Sequence, residues 1–459
     1  MAALRSRRLE AVLGAPLDAV EAEHIRSLVD NGVEEAFDLD FKRDPYKHND
    51  AGKRSIAGDV AALANTAGGV IILGLDEDEQ TARASASPGV DLTEDEVSWM
   101  RQTIAANMAP MPTFDILTVQ DPGLGTNGDG APRGYILVAV PRSPAAPHGV
   151  LVSEGFRYPM RNGATTRYLS EPEVATAYRN RFALVGRQNE RVEQIEQEAI
   201  GRLAFDEIYS WLVVSLVPSL PGDMVLTREN FRAFELAVRA QSVTITNEGV
   251  GIFRTRVGRR RLLADGTGDY RPASRWISLE LHTDGSGIFA VSLGNLNRQD
   301  SRPLTDQEEV ELRLVSDEAI ASTILSGLAF LGRHARDSAG SGGTTLIRAQ
   351  IVPVGPQRPT TIGHSRQFGF GESRTGEQYQ TLAVPAEAAA ELEDLATPGP
   401  QLVAAAALLL DELGQTFGVP EMGQLTREGR IHLPYWSARA GRRQEIEKWA
   451  AENGIETIG

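Results

Sequence analysis

Two apolar stretches separated by a helical segment constrain the fold of this chain more than any other feature. Residues Phe37 to Lys42 alternate between apolar and charged side chains, and that period of two is typical of a β-strand with one buried face. Val70 to Leu75 is apolar apart from Gly74, which indicates a strand covered on both faces. Between them, Ser55 to Thr66 has apolar residues at helical spacing. The sequence therefore predicts a strand–helix–strand unit.

Carboxylates gather at the ends of these two predicted strands. Asp38 and Asp40 lie on the polar face of the first strand, and Asp76 and Asp78 follow the second. If the strands are neighbours, carboxylates from both converge near Lys42, which would suit a divalent metal ion and a phosphate. The alternative is a solvated strand edge followed by an ordinary acidic loop. Spacing alone leaves both interpretations open.

An ordered set of short motifs runs through the first 185 residues. Acids precede the Phe-Lys strand, Ala64 to Gly69 ends the helix, and Gly74-Leu75-Asp76 ends the second strand. Further along lie Met108 to Pro112, Tyr135 to Ser143, and Phe156 to Gly163 followed by Ser170-Glu-Pro-Glu173. In this order the motifs resemble the Alba-like domain of the Schlafen family, over roughly residues 20–185. The rest of the chain shows no such resemblance.

The resemblance implies a nuclease site. In the nuclease members of the family, three acidic residues hold a divalent cation and the enzyme cuts structured RNA such as tRNA. The matching positions are Glu35, Asp40 and Asp76, and Lys42 would add a positive charge beside the phosphate. Position 40 departs from the family, which more often has glutamate there. The implied function is a Mg²⁺- or Mn²⁺-dependent endoribonuclease, for which the family suggests bacterial phage defence as the biological setting.

Two further functions stay open. Many bacterial relatives of this domain are described only as nucleic-acid-binding or nucleotide-binding regulators, so the chain is alternatively a non-catalytic DNA- or RNA-binding protein whose acids are structural. A third alternative is an ATP-binding regulator. This alternative is weaker, because the chain has no Gly-Lys-Ser/Thr phosphate loop. RNA is the expected partner in preference to DNA. The candidate phosphate-binding residues are Arg43, Lys53, Arg157, Arg161, Arg254, Arg256, Arg259, Arg260 and Arg261.

Composition restricts the class of protein. A net charge of -16 argues against a generally basic surface that binds nucleic acid indiscriminately, but it leaves room for local basic patches. The chain has no cysteine, which excludes disulfides and thiolate metal sites and makes a cytoplasmic location the expectation. The longest apolar runs fall short of the about 20 residues that span a bilayer, so we expect no membrane segment.

The length of 459 residues predicts more than one domain. We predict an α+β fold: a Schlafen/Alba-like mixed sheet flanked by helices over residues 1–188, a helical linker over 189–222, and a second α+β domain of unknown role over 223–459. Gln188 to Val217 is interpreted as one long helix. Its apolar face and that of Gln401 to Gly418 either pack inside the chain or form a homo-oligomer interface.

Overall fold

The computed structural model has an α+β fold with two units along the chain, Met1–Leu184 and Val185–Gly459, called the first and second unit below. The structure describes residues 4, 6–78, 80–152, 155–203, 209–240, 243–267, 276–294, 312–354, 358–364, 373–374, 376, 378–437 and 441–459. In this part of the chain, no helix is both long enough and apolar enough to cross a membrane.

The first unit contains short strands and four helices of its own among its described residues, followed by a helix that runs on into the second unit. The helices are α1 (Arg7–Leu13), α2 (Ala22–Asp30), α3 (Asp50–Ala64), α4 (Glu94–Asn107) and the long α5 (Glu171–Leu203). The strands are β1 (Leu39–Lys42), β2 (Gly68–Leu73), β3 (Asp76–Glu77), β4 (Ala84–Ala86), β5 (Val90–Asp91), β6 (Met108–Ala109), β7 (Asp115–Gln120), β8 (Arg133–Pro141), β9 (Gly149–Val152), β10 (Gly155–Arg157), β11 (Pro159–Asn162) and β12 (Thr165–Tyr168).

A mixed sheet forms the centre of the first unit. Its strand order is β1-β2-β8-β5, and β7 also pairs with β8. Strands β1 and β2 are parallel, with Leu39 opposite Val70, whereas β8 is antiparallel to its neighbours. Two parallel neighbours need a crossover connection, and α3 supplies it. The predicted strand–helix–strand unit and the predicted mixed sheet are therefore confirmed.

Helices cover both faces of this sheet, so the charged side chains of β1 lie beneath a helix. Leu39 and Phe41 belong to the core that includes α1 and α2. The opposite face packs against α3 and α4, for example through Ile56. Because successive strand residues point to opposite faces, Asp40 and Lys42 lie on the side of α3. The polar face of β1 is thus covered rather than solvated.

The second unit contains a larger sheet and its own helices. The helices are α6 (Arg228–Ala240), α7 (Asp317–Arg333), α8 (Leu392–Ala396), α9 (Pro400–Gln415) and α10 (Arg442–Glu452). The strands are β13 (Ser210–Leu220), β14 (Arg254–Gly258), β15 (Arg261–Thr267), β16 (Trp276–His282), β17 (Gly287–Leu293), β18 (Arg313–Ser316), β19 (Gly342–Val352), β20 (Thr360–His364), β21 (Ser373–Arg374), β22 (Ala386–Glu391), β23 (Ile431–His432) and β24 (Thr457–Ile458).

An antiparallel seven-stranded sheet organises the second unit. Its order is β14-β15-β16-β17-β13-β19-β22. One face packs Leu212 and Val214 against α7 and α9. On the other face, Trp211 and Val213 pack against Val192 and neighbouring residues of α5. The C-terminal part of α5 is therefore one of the layers of the second unit.

The region after residue 188 differs from the prediction. Helix α5 ends at Leu203, and Ser210–Leu220 is strand β13 in the interior of the large sheet. The prediction of one helix to Val217, and with it a helical linker over 189–222, is wrong for these residues. Both faces of β13 are buried, and a fully buried strand has the same continuous apolar run as a buried helix.

The apolar face of α9 lies inside the second unit. Leu402, Ala406 and Leu410 of this helix are fully buried in the core beside α7. Of the two uses predicted for this face, the structure shows internal packing. The apolar face of Gln401 to Gly418 therefore does not support a homo-oligomer interface. The homo-oligomer stays a prediction.

Candidate functional site

The predicted acidic residues surround the C-terminal end of β1. Glu35 precedes the strand, Asp40 lies in its middle, and Asp76 begins β3. The backbone N–H of Gly74 donates to the carbonyl oxygen of Lys42 at 2.7 Å, so the chain leaving β2 passes directly beside the end of β1. The structure therefore brings Asp76 close to Arg43, the residue that follows β1. The convergence of Glu35, Asp40 and Asp76 on one ion stays a prediction.

Asp40 lies between two cations. Arg161 Nη1 donates to Asp40 Oδ1 at 2.8 Å, and the two side chains are only 3% and 4% exposed. Lys42 Nζ lies 2.5 Å from Asp40 Oδ2. The second terminal nitrogen of Arg161 donates to the carbonyl oxygen of Ala36 at 3.0 Å. Asp40 is thus a buried carboxylate whose charge is compensated within the protein.

The carboxyl group of Glu35 has a raised pKa. Burial, and then the charge of Asp40, raise the pKa of Glu35 to about 7. The backbone N–H of Phe41, which donates to Glu35 Oε1 at 2.6 Å, opposes this shift, as does Lys42. Glu77, the residue after Asp76, adds to the repulsion. This carboxyl group therefore changes its protonation near neutral pH.

We call Glu35, Asp40, Tyr46, Asp59 and Asp76 the acidic centre. The sequence analysis missed two of these residues, Tyr46 and Asp59. Tyr46 Oη donates to Asp59 Oδ2 at 2.8 Å, and burial together with Asp40 raises the pKa of Asp59 to about 6. Asp59 comes from α3, which places it on the side of the sheet to which Asp40 points. The available signal was an aspartate three residues after Ile56 and one before Val60, on the apolar face of a predicted helix.

The acidic centre, as placed, does not fit a three-carboxylate metal site. Glu35 accepts from a backbone N–H, Asp40 is held by two cations, and Asp76 Oδ2 accepts from Arg43 at 3.1 Å. Among the residues that the structure describes, no group of three or more His, Asp or Glu side chains is arranged to hold a metal ion. The expectation of Mg²⁺ or Mn²⁺ at Glu35, Asp40 and Asp76 stays a prediction.

The predicted basic residues of the first unit differ in exposure and in ion pairing. Arg43 is exposed and pairs with Asp76, and Lys53 lies 3.5 Å from Asp50 on the same turn of α3. Arg157 is exposed. Arg161 was predicted at a basic rim, but it is buried and bonded to Asp40. As placed, this residue is unable to contact a phosphate, and its predicted role needs correction.

The predicted basic patch of the second unit is partly neutralised. Arg254 and Arg256 share one carboxylate, that of Asp265, each at 2.6 Å. Arg261 pairs with Glu198 at 2.6 Å and lies 3.5 Å from Glu280. Arg259 and Arg260 are exposed at the turn between β14 and β15. The patch exists, but acids of the same unit hold a large part of it.

A group of exposed and half-buried aromatic rings accompanies Arg157, and the sequence analysis did not identify it. The guanidinium of Arg157 lies 5.6 Å from the ring centroid of Tyr168. Tyr168 and Phe156 are 55% and 51% exposed. The rings of Tyr158, Tyr178 and Phe182 follow, each about 6.3 Å from the next. We call Phe156, Arg157, Tyr158, Tyr168, Tyr178 and Phe182 the aromatic–arginine strip.

The sequence around the strip is basic although the whole chain is acidic. Residues 155–184 contain five arginines, of which Arg161 is buried, and two glutamates. Large aromatic side chains at a surface lose favourable burial unless something covers them. Aromatic rings beside guanidinium groups are the combination that binds unpaired bases and phosphates. The strip therefore has the chemistry of a nucleic-acid interface.

Comparison with known proteins identifies the domain that carries this site. A family model described as Schlafen, AlbA_2 matches residues 35–170, so the first unit contains a Schlafen AlbA_2 domain and the predicted resemblance is confirmed. A domain of this family indicates a function related to nucleic acid. No curated protein matches the chain.

One solved structure similar to the chain is the DIP2311 protein from Corynebacterium diphtheriae, with 19% identity and a TM-score of 0.23. The similarity covers 38% of this chain and 29% of that one. The chain thus spans less than a third of that protein, and so weak a likeness carries no argument.

Proposed function

We propose, from the Schlafen AlbA_2 domain and the surface that it presents, that this protein binds nucleic acid through the aromatic–arginine strip, with RNA favoured over DNA. The observation that supports the proposal is the exposed pair of Arg157 and Tyr168. A net charge of -16 repels a polyanion at long range, so binding has to occur at a focused basic surface. The strip is such a surface.

Each part of the strip has a distinct role in this proposal. Exposed rings stack on bases, and each stacked base contributes roughly 1–3 kcal/mol. The guanidinium of Arg157 either keeps its place over the ring of Tyr168 or contacts a phosphate. Both interactions need bases that are not enclosed in a duplex. The expected ligand is therefore single-stranded nucleic acid or an unpaired loop in a folded RNA.

The first prediction concerns affinity for single strands. Replacing Tyr168 by alanine removes one stacking platform, so we expect the affinity for a single-stranded RNA oligonucleotide to fall about tenfold. Arg157→Ala should weaken binding and also reduce its dependence on salt concentration. Fluorescence anisotropy at several salt concentrations, with RNA and DNA of the same sequence, measures both effects and the preference between the two polymers.

Arg83→Ala is the matched control for this experiment. Arg83 is an exposed arginine of the first unit that pairs with Glu34, outside the strip. Its replacement should leave the affinity unchanged. Equal affinities for the wild-type protein and the Tyr168 and Arg157 variants would contradict the proposal.

A metal-dependent endoribonuclease is the second candidate function, and the crowding of acids around Glu35 favours it. Asp40 and Glu77 both raise the pKa of Glu35, and a cation would relieve this repulsion. Lys42 and Arg161 partly provide that positive charge already. For this reason the candidate stands second. Cleavage of tRNA would also open the possibility of a role in phage defence.

The second prediction separates cleavage from binding. Under the nuclease hypothesis, purified protein incubated with bulk tRNA and Mg²⁺ or Mn²⁺ should give discrete fragments, and chelator should abolish them. Asp76→Ala should then lose cleavage while it keeps RNA binding, because Asp76 lies outside the aromatic–arginine strip. Intact tRNA under every metal condition, with binding retained, would exclude the nuclease and leave the binding function.

A further inference from the structure

A partly open cavity of about 240 Å³ lies on the large sheet of the second unit, beside the end of α5. Its wall includes two tryptophans, Trp211 and Trp276, and three arginines, Arg202, Arg254 and Arg256. Two acids, Asp265 and Glu280, complete the charged part of the wall. We infer that this cavity binds one nucleoside monophosphate group, either free or at the 5′ end of a nucleic-acid chain. This inference is independent of the function proposed for the first unit.

Trp211, which lines the cavity, has a hydrogen-bond donor without an acceptor. The residue is only 3% exposed, and its indole Nε1–H has no hydrogen-bond partner within the part of the chain that the structure describes. A buried donor that is left unpaired destabilises a protein, and such groups are normally satisfied. An acceptor on a bound base or sugar would pair this N–H.

The rim of the cavity carries a surplus positive charge. Arg254 and Arg256 both bond to the single carboxylate of Asp265. Their side chains are 64% and 48% exposed, so both guanidinium groups are accessible from solvent. One carboxylate neutralises only one of the two charges. Arginine pairs bind phosphate through charge-assisted hydrogen bonds.

Deeper in the wall, Glu280 is already compensated. It is 2% exposed at its side chain and is bonded to Arg202, and Arg261 lies 3.5 Å away. This acid therefore does not oppose an anion at the rim. The available positive charge is at Arg254 and Arg256, which fixes where the phosphate would lie.

Size and ring chemistry select the ligand class. A volume of about 240 Å³ is below the roughly 300–1,000 Å³ of pockets that enclose drug-sized ligands, so one base with its sugar is the largest plausible occupant. Indole rings in the wall provide apolar, polarisable surface for a planar base. A phosphate group attached to that base would remain at the open rim, next to the two arginines.

The test measures binding of nucleoside 5′-monophosphates to the whole 459-residue chain. Tryptophan fluorescence and calorimetry report the binding. Binding should quench the fluorescence. Arg254→Ala should weaken binding about tenfold, because the surplus charge is lost. Trp211→Phe keeps an aromatic ring but removes the N–H together with part of the apolar surface, and it should weaken binding by a smaller factor. Circular dichroism confirms that each variant is folded.

Two control variants make the test specific. Arg430→Ala removes an arginine of the same unit that pairs with Glu456 and lies outside the cavity wall. Tyr168→Ala alters the strip of the first unit. Both variants should bind monophosphates like the wild-type protein. A loss of binding in Tyr168→Ala with none in Arg254→Ala would overturn the inference.

Oligonucleotides with a 5′-phosphate or a 5′-hydroxyl distinguish the two sources of the ligand. To weaken binding at the strip, they are compared in a background that carries both Tyr168→Ala and Arg157→Ala. If only free monophosphates bind in an Arg254-dependent manner, the ligand is a free nucleotide. If the phosphorylated oligonucleotide binds and the hydroxyl form does not, the site holds a chain end. If neither monophosphates nor the phosphorylated chain bind at millimolar concentration, the cavity is only filled by water and the inference is wrong.

Discussion

At the scale of single residues, the buried ion pair of Arg161 and Asp40 is the central contact of the acidic centre. The two side chains are almost completely buried and hydrogen-bonded to each other, and Lys42 is the second cation beside Asp40. Taking such charges out of water is expensive, and only their mutual pairing offsets the loss of solvation. Arg161 is therefore a residue on which the fold depends, whereas Arg157, only four positions earlier, is available at the surface.

The third prediction follows from this pairing. Arg161→Met leaves the buried carboxylate of Asp40 with Lys42 alone, so we expect the first unit to be destabilised by about 3 kcal/mol. Thermal unfolding and hydrogen exchange of the β1 and β2 amides measure the effect. Adding Asp40→Asn should restore part of the stability, because the double variant no longer buries a carboxylate that lacks its arginine partner.

Arg167→Met is the control for this prediction. Arg167 and Glu173 form an exposed pair, and such pairs contribute roughly 0–1 kcal/mol. If the Arg161 and Arg167 variants are destabilised equally, the buried pair does not have the importance assigned to it.

The fourth prediction concerns pH and belongs to Glu35 and Asp59. Their pKa values are raised to about 7 and about 6. A carboxyl group that holds its proton more tightly in the folded state stabilises the fold in acid, and this contribution is lost as the pH rises through the folded pKa. The contribution of these two carboxyl groups to the stability of the first unit should therefore be lost between about pH 4 and pH 7. His148, whose pKa is lowered by burial, contributes in the opposite direction.

Denaturation midpoints at constant ionic strength, measured across this pH range, test the effect. Glu35→Gln should make the decline with pH shallower, because the titrating group is removed. Glu171→Gln, at an exposed glutamate of the same unit, should leave the decline unchanged. An equal change in stability from pH 4 to pH 7 in the wild-type protein and in Glu35→Gln would contradict the assignment.

At the scale of elements, α3 determines what the polar face of β1 becomes. The alternation from Phe37 to Lys42 predicted a strand with one charged face, and β1 is that strand. The helix that connects β1 to β2 packs over the charged face and adds Asp59 to it. The C-terminal cap of this helix, Asn65, donates to the carbonyl oxygens of His148 and Pro159. These contacts link α3 to the strands near the aromatic–arginine strip.

At the scale of the whole molecule, charge and function are unevenly distributed. The chain carries a net charge of -16, yet each unit has a surface where arginines outnumber the acids that pair with them. In the first unit this surface also bears aromatic rings, and in the second it borders a cavity with two tryptophans. An acidic protein with focused basic sites selects its polyanionic ligands by local geometry rather than by overall attraction.

The sequence by itself determined the α+β class, the strand–helix–strand unit and the Schlafen AlbA_2 domain, because periodicity, glycine positions and motif order are local properties. It also predicted that Glu35, Asp40 and Asp76 lie near one another, and the structure places Glu35 beside Asp40. Only the tertiary structure decided that Arg161 is buried against Asp40, that Asp59 joins them, and that Ser210–Leu220 is a strand. The reason is physical: burial and pairing depend on which distant segments pack together, and one-dimensional patterns do not encode those contacts.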